Sequence, residues 1–204
     1  MIFLKIRTIF AISLLIFSVS CVETVVVGSI ATGVVVVREK SFSSTRKDVM
    51  MATALASEFV KNGLKNPSNS VDITINEGRI LLTGIVRDHS KGKLAVDLAW
   101  KSTGVKEVID EIQYSEDEKL RPRDFQIAFN DYLISLQLEA KLFFSGDVSA
   151  VNYKITTVNK TTYLLGVAYE DEELRKVLSI VSKARGVRKV VNHIILVDDN
   201  RRNE

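Results

Sequence analysis

The fold of this chain is decided by a stretch that occurs twice, as ITINEGRILLTGIVRDHSKGKLAVDLAWKSTGVKEVIDEI at residues 73–112 and as ITTVNKTTYLLGVAYEDEELRKVLSIVSKARGVRKVVNHI at residues 155–194. The two copies align without a gap when the first is moved forward by 82 positions, so that Ile73 meets Ile155 and Gly84 meets Gly166. Self-similarity at a fixed offset indicates that one structural unit is repeated. The chain therefore contains two copies of one small module, called module 1 and module 2 below.

Alternating and helical spacings of apolar residues predict the same order of elements, α-β-β-α-β, in both modules. In module 1 we expect a helix over residues 48–65, strands over 71–76 and 79–86, a helix over 90–103 and a strand over 105–112. In module 2 the strands fall at 152–158, 161–168 and 188–197, and the helices at about 125–144 and 170–185. A strand, a crossover helix and a second strand form a right-handed unit. The expected fold class is α+β, and each module is a three-stranded mixed sheet with two helices packed on one face.

Glycines recur at two matching places in the modules and are expected to be structural. Gly84 and Gly166 stand inside strands, where a glycine suggests a bulge or a close backbone approach. Gly104 and Gly186 follow the second helices, where a glycine favours a left-handed helix cap.

The N-terminus has the pattern of a secretory signal. Residues 1–7 carry Lys5 and Arg7 and no acidic residue, and residues 9–19 are mostly apolar. The Ser20-Cys21 pair that follows resembles the lipobox of bacterial lipoproteins, which implies acylation of the Cys21 thiol, although Ser18 stands where that motif prefers leucine. The alternative is an uncleaved membrane helix, and the apolar residues 22–37 keep a spanning segment open.

Composition shifts divide the chain into six parts. They are a signal peptide at 1–20, a lipidated Cys21 with an apolar segment and tether at 21–47, module 1 at 48–114, a charged linker at 115–124, module 2 at 125–197 and a polar tail at 198–204.

The order of these marks resembles a known family. The apolar-glycine ending of the second strand and the Gly-Val pair before the third are marks of BON domains, and here they read Leu81-Leu82-Thr83-Gly84, Leu164-Leu165-Gly166, Gly104-Val105 and Gly186-Val187. From Cys21 onward, with Val26-Val27-Gly28 and Gly33, the chain is similar to the dual BON-domain outer-membrane lipoproteins. The resemblance implies a location on the periplasmic side of the outer membrane, phospholipid binding, a role in envelope integrity and no catalytic residues.

The residues themselves give no sign of catalysis. His89 and His193 do not match each other in the repeat and lack ligand neighbours at helical spacing, so no metal site is expected. No phosphate-binding loop follows a strand, and the formal net charge of +3 includes Lys5 and Arg7 of the signal, which leaves no nucleic-acid footprint. We therefore predict a protein that is not an enzyme and that uses no cofactor.

The first helix of module 2 carries two apolar stripes. The inner stripe, Ile134, Leu138 and Leu142 with Ile127 before them, maps through the offset of 82 to Ala52, Ala56 and Val60 and is expected to form the core. The outer stripe maps to mostly polar residues of module 1 and consists of Phe125, Phe129, Tyr132, Leu133, Leu136, Phe143 and Phe144. The fold does not require the outer stripe, so we expect it to bind a partner, with Arg123 and Lys141 nearby to attract anionic head groups.

Two functions compete. The first is a lipid-anchored periplasmic protein that binds anionic phospholipid through module 2 and supports outer-membrane integrity. The second is a protein-interaction scaffold that docks on outer-membrane assembly machinery, in which the outer stripe joins the two modules. A more distant third is a component of a ring-forming assembly.

Overall fold

The computed structural model describes residues 42–117 and 121–202, so the predicted signal peptide, Cys21 and the apolar segment lie outside the described residues. Within the part that is described, no helix is both long and apolar enough to cross a membrane.

Module 1 begins with a helix that is longer than expected. Its elements are α1 (Phe42–Lys61), β1 (Lys65–Asn66), β2 (Asn69–Asn76), β3 (Arg79–Val86), α2 (His89–Trp100), β4 (Glu107–Asp110) and β5 (Gln113–Tyr114). The prediction that residues 38–47 form a tether is wrong from Phe42 onward, because the first turns of α1 are mostly exposed and so leave little apolar periodicity in the sequence.

Module 2 repeats the order. Its elements are α3 (Pro122–Phe143), β6 (Tyr153–Val158), β7 (Thr161–Ala168), α4 (Asp171–Ser182) and β8 (Lys189–Leu196). The helix starts three residues before the predicted Phe125 because Pro122 fits the first helical position and Asp124 accepts a hydrogen bond from the Arg121 backbone N–H at 3.0 Å.

The predicted sheets are confirmed. In module 2, β6 pairs antiparallel with β7, and β7 pairs parallel with β8. In module 1, β2 and β3 pair in the same way, and β4 and β5 both lie parallel to β3. The single third strand that we predicted is interrupted between β4 and β5, where the Ile112 N–H donates to the Asp110 carboxylate at 3.1 Å. The short β1 extends the other edge of this sheet.

Glycine permits close backbone approach at matching points of the two hairpins. A Cβ at Gly84 would lie 2.1 Å from the Ser70 carbonyl oxygen, and one at Gly166 would lie 2.5 Å from that of Asn152. Gly104 and Gly186 have φ of +85° and +96°, the left-handed conformation expected after a helix.

A buried aspartate ties the first helix of each module to the turn of its hairpin. The Asp48 carboxylate accepts from the backbone N–H groups of Glu77 and Gly78 at 2.9 and 3.0 Å. The Asp131 carboxylate accepts from those of Asn159 and Lys160 at 2.6 and 3.1 Å. Both turns have two residues with positive φ, as in tight hairpins. The turns are related by the offset of 82, whereas Asp48 and Asp131 are 83 positions apart.

The repeat offset therefore changes from 82 to 83 in the first helix. Gly104 faces the side chain of Met51 and Gly186 faces that of Ile134, which gives the same offset of 83. The connection between helix and hairpin is one residue shorter in module 2, and such a difference is invisible to a gapless alignment of residues 73–112.

This shift corrects the predicted core of module 1. The side chains of α1 that point inward are Met51, Leu55 and Phe59, whereas Val60 is 65% exposed. Ala52 and Ala56 are only partly buried. In module 2 three residues of the predicted inner stripe are confirmed, because Leu138 and Leu142 are buried and Ile134 packs against the same core. The fourth, Ile127, is only half-buried and lines a groove outside this core.

The modules join through the faces of their sheets that are turned away from the helices. Leu81 of β3 is buried with Val158, Tyr163 and Leu165 of module 2. Since alternate residues of a strand point to opposite faces, Ile80 and Leu82 lie in the separate core beneath α1 and α2. The chain is thus layered as helices, sheet, sheet, helices.

Polar contacts at one side of this interface involve residues 198–204, which we predicted to be a polar tail. Residues Asn200–Arg202 form one turn, and the Arg202 guanidinium donates to both carboxylate oxygens of Glu77 in module 1, at 2.9 and 3.2 Å. Hydrogen bonds from Arg201 lower the pKa of Asp199 to about 2. The segment fastens the end of module 2 to the hairpin turn of module 1.

Replacing Asp131 with alanine is expected to lower the free energy of unfolding by about 3 kcal/mol, because it removes two hydrogen bonds to a charged acceptor and leaves two backbone N–H groups of the turn without a partner. Asp131→Asn keeps one acceptor oxygen and should lose about half as much. Urea denaturation of both variants, beside the exposed control Asp97→Ala, measures the effect; equal stability of Asp131→Ala and the control would show that the carboxylate does not hold the turn.

Candidate functional site

The outward side of α3 carries the candidate site. All seven residues of the outer stripe are exposed, with exposed fractions between 37% for Leu133 and 82% for Phe144. Five of them, Phe125, Phe129, Tyr132, Phe143 and Phe144, are aromatic. Because the opposite side of the same helix completes the core of module 2, the outer stripe is presented on a rigid support.

The expectation that the outer stripe joins the two modules is wrong. The interface between the modules is made by the sheets, and Phe125, Phe129 and Phe143 each keep at least 60% of their surface exposed. The N-terminal end of α3 does approach module 1, where the Arg87 guanidinium lies 3.6 Å from the Asp124 carboxylate, but the side chains of the outer stripe remain exposed.

An open groove of about 1250 Å³ separates α3 from module 1. Tyr132 and Leu136 of the outer stripe border it on one side, and Ser70 and Asp72 of β2 border it on the other. Thr156 of β6, an edge strand of its sheet, also lines the groove. On this side α3 therefore faces β6, the edge strand of its own sheet, and residues of β2 in module 1.

A second, smaller cleft of about 450 Å³ lies at the carboxyl end of α3. Its lining is mostly apolar and includes Leu136, Phe143, Phe144, Val151, Lys154 and Ile155. The rings of Phe143 and Phe144 meet edge to face, with 5.3 Å between centroids. Tyr153 also lines this cleft, and its burial, followed by the charge of Glu173, raises the pKa of its phenol above the usual value.

Basic side chains border the stripe. The Arg123 side chain is 64% exposed at the start of α3, and its Nε lies 3.9 Å from the Asp124 carboxylate. Lys141, in the last turn of α3, is also exposed, as is Lys154 beside the smaller cleft. Arg123 and Lys141 thus lie at the two ends of α3, and Lys154 lines the smaller cleft together with Phe143.

The corrected offset shows a counterpart on α1 that the sequence reasoning missed. At 83 positions, Val49, Met50 and Val60 match Tyr132, Leu133 and Phe143 of the outer stripe. These three residues of α1 are 59%, 62% and 65% exposed. The aspartates at 48 and 131 were the available signal, since each is a single acidic residue just before the apolar pair.

Each of the two histidines contacts another side chain, His89 within module 1 and His193 across the interface between the modules. His89 stacks on Tyr114 with 4.3 Å between ring centroids, and His193 Nε2 lies 2.9 Å from the Glu111 carboxylate. Residues 42–117 and 121–202 contain no group of three or more His, Cys, Asp or Glu side chains that could hold a metal ion.

The fold and the repeat define the class of this protein. A family model for the BON domain matches residues 47–116 and residues 130–198. The two matches cover more than half of the chain, so it belongs to the BON-domain family, and the resemblance seen in the sequence is confirmed.

Relatives with similar chains come from three bacteria. An uncharacterized protein in the gshII 5′ region of Anaplasma centrale is 32% identical over 149 residues, which cover 73% of this chain and 94% of that protein. The outer membrane lipoprotein DolP of Haemophilus influenzae is 26% identical over 177 residues, 86% of this chain and 88% of DolP. A 21 kDa hemolysin of Actinobacillus pleuropneumoniae is 24% identical over 147 residues, 72% of this chain and 73% of that protein.

Replacing Tyr132, Leu133 and Leu136 together with asparagine should change the free energy of unfolding by less than about 1 kcal/mol, because the side chains are exposed and support no core. By contrast, Leu138→Asn on the inner side of the same helix buries an amide in an apolar core and should cost about 4 kcal/mol or more. Chemical denaturation of both variants measures these two changes in the free energy of unfolding. Loss of the fold in the triple variant would mean that the outer stripe has a structural role.

Proposed function

We propose that this chain is a non-enzymatic lipoprotein, anchored through Cys21 on the periplasmic side of the outer membrane, whose module 2 binds anionic phospholipid and thereby supports the integrity of that membrane. The observation that carries the proposal is the outer stripe, in which six large apolar side chains are exposed on α3 and Phe144 is exposed just after it, while the opposite side of the helix packs in the core.

The chemistry of the stripe favours a membrane surface. Full burial of a large apolar side chain is worth about 1.5–3 kcal/mol, so several of them exposed on one helix represent a large unused driving force. An amphipathic helix of this kind lies in the interface with its apolar side among the acyl chains. Tyr132 suits the boundary between head groups and acyl chains because it combines an apolar ring with a hydroxyl group.

Charge at the ends of the stripe favours anionic lipid. Arg123 and Lys141 are exposed at opposite ends of α3 and would each add about 1 kcal/mol near an anionic surface. This contribution falls as salt screens the charges.

Two observations support the location. The signal-like N-terminus ends at Cys21 in a sequence that resembles a lipobox. The chain is also similar along most of its length to DolP, an outer membrane lipoprotein.

In a liposome co-sedimentation assay, residues 38–204, which form one compact unit, should bind vesicles that contain phosphatidylglycerol. The Tyr132, Leu133 and Leu136 triple asparagine variant should bind at least tenfold more weakly, because a loss of only 1.4 kcal/mol corresponds to a factor of ten. Binding should also decrease when salt is raised or when the vesicles contain only zwitterionic lipid.

A matched control replaces one exposed cation and one exposed anion of α2, as Lys93→Asn with Asp97→Asn, which leaves the net charge unchanged, and should bind like the unmodified protein. If the triple variant binds as well as this control, the lipid proposal fails. If no form binds vesicles but the stripe is needed to capture an envelope protein, the chain is instead a scaffold for outer-membrane assembly machinery.

Acylation of Cys21 is tested in cells. Labelling with a palmitate analogue should mark the full-length protein, and Cys21→Ala should abolish the label, since no other cysteine exists in the chain. A label that persists in Cys21→Ala would contradict a thioether-linked anchor at this residue.

A further inference from the structure

Two contacts between the modules reveal the symmetry that relates them. The hydroxyl oxygens of Thr74 and Thr156 are 3.2 Å apart, and His193 lies 2.9 Å from Glu111. In both pairs the partners are separated by 82 positions, so each residue meets its own equivalent in the other module. Residues that meet their equivalents lie on a two-fold axis. The modules are therefore related by an approximate two-fold axis that passes through both contacts.

The two-fold axis places α1 and α3, the first helices of the two modules, at the same end of the described structure. Thr74 and Thr156 belong to β2 and β6, whereas Glu111 and His193 lie at the third strands, so the axis runs from the β2 and β6 edges toward the third strands. The helix α1 packs against β2 and α3 packs against β6. The helices α2 and α4 contact the third strands, at the other end of the axis.

The outer stripe faces the end of the axis at which the first helices lie. Leu136 and Phe143 flank the edge strand β6 in the smaller cleft. Tyr132 borders the groove that contains Thr156, which lies on the axis. The two-fold relation turns the matching residues of α1, which are Val49, Met50 and Val60, toward the same end.

We propose that one anionic bilayer surface contacts both first helices, so that module 1 supplies a second lipid contact beside the outer stripe of module 2. This inference rests on the proposed function, and it extends the lipid-binding surface to module 1, for which no such contact is predicted from the sequence. Two stacked sheets with a helix layer on each side, at about 10 Å per layer, set the first helices roughly 30 Å apart. Both can therefore touch a single bilayer.

The contact on α1 is less apolar and more basic than that on α3. Where module 2 has Phe129 and Phe144, the matching residues of α1 are Arg46 and Lys61. Arg46 and its neighbour Lys47 are exposed, and Lys61 forms a surface ion pair with Glu58 at 2.8 Å. This combination suits attraction to anionic head groups with shallow insertion of Val49, Met50 and Val60.

The length of the chain that precedes α1 favours the same surface. Only 20 residues separate Cys21 from Phe42. Even when fully extended, a chain of that length spans at most about 70 Å. An anchor at Cys21 therefore keeps α1 within that distance of the bilayer, which raises the effective concentration of its apolar residues at the lipid surface.

Environment-sensitive fluorophores test the proposal on the mature acylated chain in vesicles of phosphatidylglycerol and phosphatidylethanolamine. Since acylation occupies Cys21, one introduced cysteine gives one label, and Val60→Cys, Phe143→Cys and Asp97→Cys place it on α1, α3 and α2. All three positions are exposed, so the fold should tolerate the label. We expect a blue shift and quenching by doxyl lipid at Val60 and Phe143, and neither effect at Asp97.

The outcomes separate this inference from the proposed function. A response at Phe143 without one at Val60 leaves the lipid-binding module 2 intact but overturns the contact by module 1. No response at Phe143 contradicts the proposed function itself. A response at Asp97 equal to that at Val60 overturns the orientation along the two-fold axis.

Discussion

A buried carboxylate that binds two backbone N–H groups of a hairpin turn fixes the rotation of the first helix in each module. Asp48 and Asp131 point inward and are each held by two hydrogen bonds, so the residues three, seven and eleven positions later also point inward. The helix cannot rotate by one residue without removing the carboxylate from the turn. The same constraint decides which side chains face outward, and so it defines the candidate site as firmly as it defines the core.

The two modules join through their sheets, so the interface does not cover the outward sides of α1 and α3. Each sheet has one face covered by its own helices and a second face that carries a smaller apolar cluster, with Leu81 and Tyr163 at matching positions. Buried polar side chains such as Arg79 and Thr83 lie on the same face. Pairing these second faces buries them together and needs no contribution from α1 or α3. Had the helices formed the interface, the outer stripe would be buried between the modules. Because the sheets form it, the apolar surface of α3 can be available to a ligand.

The sequence predicted the sheets well because their signals are local. Alternation, the tight turns and the glycines placed β3 and β7 at their observed limits, and the resemblance to BON domains followed from those marks. The core-facing side of the first helix in module 1 is predicted less accurately. The offset of 82 holds for residues 73–112 but not for the helix before them, because the connecting loop differs by one residue. A gapless alignment therefore places Ala52, Ala56 and Val60 in the core, whereas Met51, Leu55 and Phe59 form it. In module 2 the helix carried its own strong periodicity, and Leu138 and Leu142 were placed correctly.

The same one-residue difference changes how the asymmetry between the modules is understood. Under the offset of 82 the outer stripe is confined to module 2, because most of its residues fall opposite polar ones such as Ser43, Lys47 and Lys61. Under the corrected offset three of its positions are apolar and exposed in both modules, and two of the remaining positions exchange a phenyl ring for a cation. The modules then differ in the balance between apolar insertion and charge attraction. Since insertion is insensitive to salt and charge attraction is not, α3 is suited to hold the surface and α1 to recognise its charge.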